Sequence, residues 1–259
     1  MISQNEKIHK LEGLLKLGKM ESIVSLLKDD SFKVGLSPSN PEFMYFMYKL
    51  YSSKDYKHAS PEKAREMLNK SIQLKHPDAC SEKGRNLLLG IDCAVDVASA
   101  EDSFRQSLSC EQSRYYIAEI YLKGMAKNTK GENFFDYNEA KEQLKEVVSM
   151  KGKFYKDALL KLAVIILKQE SIGENDERII LSSVGQLSKE GGVEGHNARV
   201  VLGQFFLRQL KLTLDGITTS PPVDPDRHFD FMLLSSESSG LLYGVEANLE
   251  RLSMTPDTI

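Results

Sequence analysis

Four acidic residues fall close together in the chain: Asp92, Asp96, Glu101 and Asp102. Paired carboxylates do acid–base work only where a pocket shifts their pKa values. Nothing around this stretch predicts a pocket. A solvated turn, followed by a helix whose N-terminal end favours acids, accounts for them. The histidines His9, His58, His76, His196 and His228 are scattered, with no HExxH. Cys80, Cys93 and Cys110 form no CxxC, and His76 alone lies near them in sequence, so no zinc set emerges. Their odd number predicts reduced, partly buried thiols rather than a disulfide framework. Gly191, Gly192 and Gly195 lack the lysine and the preceding strand of a phosphate loop. The serine-rich run 235–240 reads as small-residue packing at a helix end in preference to a phosphorylation segment. The sequence thus predicts no catalytic residue, no cofactor and no metal. What remains is the chemistry of recognition.

The composition agrees. Hydrophobic residues make up 41% and charged residues 27%, the balance of a globular chain. Thirty-four basic against 37 acidic side chains leave a net charge of −3, which argues against a general nucleic-acid binder. The first twenty residues carry charges throughout and no apolar signal core. The longest apolar run, 158–167, is interrupted by Lys161 and too short to span a bilayer. The expectation is a cytoplasmic protein that binds neither nucleic acid nor membrane.

The elements that must position any site are helices. Two short ones are predicted in residues 6–28, the first ending at Gly18. Pro41 and Pro61 sit where helices start, the second behind a Ser60 cap. Further helices are predicted over about 79–91 and 138–150, near Ser113 and Ser99, over 158–168 and 174–188, and over 198–210. Ser99 is the expected cap of its helix, and the glycines 191–195 are expected to break the helix before Ala198. An irregular segment, 215–226, a helical stretch, 229–235, and a terminal helix, 241–252, complete the chain. No strand alternation appears. The predicted fold class is all-α, an α/α superhelical solenoid of stacked antiparallel helix pairs. It is expected to form a single domain, with N-terminal helices in 1–30, about five hairpin repeats in 41–240, and a capping helix and tail in 241–259.

One helix has a thin side: Ala198, Leu202, Gly203 and Phe206 share a face at helical spacing. Glycine there costs about 1 kcal/mol against alanine, a loss that makes sense where another helix must come very close. This alanine, leucine–glycine, aromatic pattern resembles the first-helix signature of the Sel-one-like repeats, which are related to tetratricopeptide repeats. Ala158 with Leu162, Ala163 and Ile166 is similar, with alanine in place of glycine. Ser113 with Ile117, Ala118, Tyr121 and Gly124 keeps most of it, and Leu89–Gly90 reads as a degenerate copy. The second helix of such a repeat resembles the run from Ala64 through Met67, Ser71 and Ile72, with Ala79 at the next repeat's alanine position.

The resemblance implies a non-catalytic scaffold that binds a protein or peptide on the concave face lined by first helices. On the arc opposite the signature lie Tyr115, Glu119 and Lys123, then Val164 and Lys168, then Asn197, Gln204 and Arg208. Lys123, Lys168 and Arg208 occupy one equivalent position, either as a ladder of cations gripping carboxylates or as complements to helix dipoles. A second reading, implied by the same resemblance, is a bacterial effector or toxin-neutralising protein that blocks an enzyme by surface binding. The oligomeric state is left between monomer and weak dimer. The loops 127–133 and 215–226 are expected on one edge of the stack.

Overall fold

The computed structural model describes residues 3–91 and 93–214, with side chains as far as Gln209. Asp92, His228, the segments predicted over 215–226, 229–235 and 235–240, and the capping helix lie outside the described residues. The chain divides into two compact units between Ser113 and Arg114.

In unit 1, α1 (Gln4–Lys16) opens with a capping box in which Ser3 and Glu6 each satisfy the other's backbone N–H. α2 (Met20–Lys28) and the single turn α3 (Asp30–Lys33) follow. The buried Lys7 ammonium donates to the carbonyls of Phe32 and Val34, at 2.8 and 2.7 Å, and so closes the end of α3. Ile8, Leu11 and Ile23 share a core with Phe32, Phe46 and Leu50. Burying each such side chain contributes about 1.5–3 kcal/mol.

Four helices carry the rest of unit 1: α4 (Pro41–Ser52), α5 (Pro61–Gln73), α6 (Pro77–Leu89) and α7 (Val97–Arg105). α4 packs on α5, and α6 on α7. Three begin with proline behind a side-chain cap, from Asn40, Ser60 and His76 respectively. The fully buried Ser71 hydroxyl donates to the carbonyl of Pro41 at 2.9 Å, tying the second helix of the pair to the first. Two sequence expectations need correction. Asp96, not Ser99, caps α7; its carboxylate accepts the Ser99 N–H at 3.0 Å. Gly90 is not a signature glycine but the left-handed C-cap of α6, at φ 67°. The close approach falls at Gly84, five residues after Ala79, where an added Cβ would lie 2.6 Å from the buried Phe104 ring. The leucine before that glycine is replaced by Lys83, which hides the copy.

The division between the units falls within α8 (Glu111–Leu122). The loop after it forms a two-residue antiparallel ladder between β1 (Ala126–Lys127) and β2 (Asn133–Phe134), a small departure from the all-helical expectation. α9 (Tyr137–Met150), capped by Asp136, pairs with α10 (Tyr155–Leu167). Ala140, Leu144 and Val147 of α9 are fully buried, as are Leu159, Leu162, Ala163 and Ile166 of α10. The next second helix is made of α11 (Glu174–Arg178), a π-helical stretch (Ile179–Val184) and α12 (Gly185–Leu187). The buried Lys141 and Asp176 pair across from α9 to α11.

α13 (Gly192–Leu214) packs on α10 and on the π-helical stretch. It begins six residues before Ala198, so Gly195 lies inside it instead of breaking a helix. The Glu190 carbonyl oxygen stands 2.0 Å from where a Gly195 Cβ would be, and only glycine fits there. Ala118, Ala163 and Ala198 are fully buried, as the thin-side argument requires, and Gly203 is half-buried.

Candidate functional site

The predicted recognition residues lie on α8, α10 and α13, or just past a helix end in Lys123 after α8 and Lys168 after α10, and all belong to unit 2. The signature positions bury one arc of each first helix, so the opposite arc stays open. Asn197 and Lys168 are exposed, and Val164 and Gln204 half-buried. Among the described residues, the side chains of Asn197 and Gln204 have no hydrogen-bond partner.

The structure brings Tyr115, Glu119 and Lys123 into one polar network whose hub is Lys161. Its ammonium donates to the Tyr115 hydroxyl at 2.7 Å, Asp157 at 2.7 Å and Glu119 at 2.8 Å. Tyr115 in turn donates to Asp157. Lys123 pairs with the other Glu119 oxygen at 2.9 Å, while 55% of its own side chain stays exposed. The Tyr115 ring stacks on Phe154, centroids 4.5 Å apart, with the Lys161 ammonium 5.0 Å from the ring centre. Burial works against the Lys161 charge, but Glu119, Asp157 and Tyr115 outweigh it and hold the pKa above the ordinary lysine value. Burial, and then the bond to Asp157, push the Tyr115 phenol up. The site therefore presents fixed charges and a fixed aromatic plane.

Lys161 was legible only as a break in an apolar run. The available signal was the i,i+4 spacing of Asp157 and Lys161. The other two predicted cations are engaged separately. Lys168 lies 5.7 Å over the ring of Tyr137, which stacks on Phe135. Arg208 donates to the carbonyls of Leu167 and Glu170, both at 2.6 Å, and so caps the C-terminal end of α10. Its acceptors lie at the end of the preceding first helix and just beyond it, not on its own helix. Among the described residues, no hydrogen bond joins Lys123, Lys168 and Arg208 to one another, and no group of three or more His, Cys, Asp or Glu residues is placed to hold a metal ion. No described helix is long and apolar enough to cross a membrane.

No protein-family model matches the chain, and no curated protein matches it in sequence. Among solved structures, it is similar to a Sel1 repeat protein from Oxalobacter formigenes. The TM-score is 0.57 at 14% identity, over 88% of this chain and 84% of that one. The chain thus has the all-α solenoid fold of a Sel1 repeat protein, the fold that the alanine and glycine spacing implied.

Proposed function

We propose that the chain is a non-catalytic adaptor. It binds a protein or peptide partner through the face carrying Tyr115, Glu119, Lys123, Val164, Lys168, Asn197, Gln204 and Arg208. The Lys161 network carries this reading. It orders a tyrosine, two carboxylates and two ammonium groups in advance, so less side-chain freedom is lost on binding. Tyrosine is favoured at binding hot spots, and the exposed Lys123 and Lys168 suit carboxylates of a partner. The Sel1 repeat fold, in general one of protein–protein interaction, supports the same class.

Arg208 acts on this face as a support, holding the end of α10, and Lys123 and Lys168 make the contacts. The test is affinity capture with the wild-type chain, with Lys123→Glu plus Lys168→Glu, and with the exposed control Lys189→Glu. The expected result is a partner retained by the wild type and the control and lost by the double variant. Equal capture by all three overturns the assignment of the face.

A further inference from the structure

We infer that unit 1 carries a binding site of its own, a cleft for a small amphipathic carboxylate with a hydrocarbon body and one anionic end. The cleft has a volume of about 410 Å³ and is lined from α2, α4 and the segments 33–36 and 51–58. That volume lies in the range of small-ligand sites, roughly 300–1,000 Å³. Met47 and other apolar side chains of α2 and α4 line it, and methionine adapts to ligands of varied outline. Tyr51 and Tyr56 meet edge to face, centroids 5.8 Å apart, and His58 packs on Tyr56 at 5.7 Å.

The charge on the lining is of one sign. Lys28 and Lys33 carry it, and no carboxylate lies on the lining. Among the described residues, the Lys28 ammonium and the hydroxyls of Tyr51 and Tyr56 have no hydrogen-bond partner. Lys33 has a loose, exposed pair with Asp30 at 3.3 Å. Burial pushes the Tyr56 phenol up, so it stays a donor at neutral pH. Unspent donors beside an apolar floor complement a carboxylate, whose two oxygens offer about four acceptor sites. An alcohol head accepts fewer of these hydrogen bonds and carries no charge, and an ammonium head accepts none.

The test is calorimetric titration of the full chain with octanoate, 1-octanol and octylammonium. Octanoate is expected to bind saturably at one site. 1-Octanol should bind about tenfold more weakly, the scale of one charge-assisted hydrogen bond, and octylammonium should not bind. Lys28→Glu, a change at an exposed residue, should erase the preference for octanoate over 1-octanol while lowering thermal melting only slightly, through loss of a last-turn cation of α2. Tyr56→Phe, which keeps the ring, should weaken octanoate more than 1-octanol, because the bond lost is to a charged acceptor. The proposal is overturned by absence of saturable octanoate binding, by equal binding of octanoate and 1-octanol, or by a Lys28→Glu chain that still prefers octanoate. A peptide with a hydrophobic C-terminal residue binding where octanoate does not would also overturn it.

Discussion

Replacing Lys161 by methionine keeps the length of the side chain and removes its charge. In the wild type that charge meets Tyr115, Asp157 and Glu119 at 2.7–2.8 Å. Hydrogen bonds to charged groups contribute about 1.5–3 kcal/mol each. The full sum does not apply here. The Asp157 side chain is 54% exposed, so water screens its share. The Glu119 side chain is 12% exposed and would lose one of two cations, keeping Lys123 at 2.9 Å. The expected loss is therefore about 2–3 kcal/mol, toward the low end for breaking a buried pair. It is read from urea unfolding followed by far-ultraviolet circular dichroism, as a lower midpoint at unchanged slope. Glu119→Gln combined with Lys161→Met should cost less than the sum of the single changes, by about 1–2 kcal/mol. A Lys161→Met change below about 0.5 kcal/mol, the level of an ordinary surface substitution, would refute the claim that pairing outweighs burial here. The pH dependence follows from the raised pKa. Stability from such a group is complete below the unfolded lysine value, about 10.4, and is lost as pH rises through the folded one. The gap between wild type and variant should stay constant from about pH 6 to 9 and close only in stronger alkali.

Gly195→Ala places a methyl against the Glu190 carbonyl, which backbone movement alone can relieve; a loss of about 2–3 kcal/mol is expected in thermal melting. Wild-type melting would show that the approach is not needed. Gly84→Ala meets the buried Phe104 ring and should cost about 1–3 kcal/mol, with the loss reduced when Phe104→Leu is added. Burial depresses the pKa of His76, whose Nδ1 accepts the Ala79 N–H at the start of α6. Stability from this neutral imidazole is complete above the unfolded value, about 6.5, and is lost as pH falls through the folded one. Urea midpoints measured downward from about pH 7 should therefore fall less steeply for His76→Asn, which caps without titrating; parallel slopes would contradict this.

Much of the fold was legible because helix starts and close approaches leave local marks. Pro41 and Pro61 announced their helices, and Ala118 and Ala163 lie buried as their spacing required. Gly84 was missed because Lys83 replaces the leucine that would have flagged it, and Gly90 was misread because a C-cap glycine and a packing glycine look alike in one sequence. The site was harder to see. Its arc follows from helical periodicity, but the hub joins Lys161 to Tyr115, 46 positions away, and no spacing rule reaches that far. Arg208 was legible as a cation, yet its acceptors are main-chain oxygens, which every residue possesses and no sequence distinguishes.

The two arginines of α13 bear on how this architecture can be shortened or extended. Arg199 holds the carbonyls of Ser188 and Glu190, and Arg208 those of Leu167 and Glu170. Both ends of the hairpin made by α10 with α11 and α12 are thus finished by side chains supplied from the helix that follows it. Cutting the polypeptide after α12 would take away more than a layer of apolar cover, because it would leave the tips of two earlier helices to water. Modules bonded in this way cannot be removed one at a time from the C-terminal side without fraying what is left. A chain cut after α12 should therefore lose protease resistance in the hairpin of α10 with α11 and α12, one hairpin further in than the cut itself.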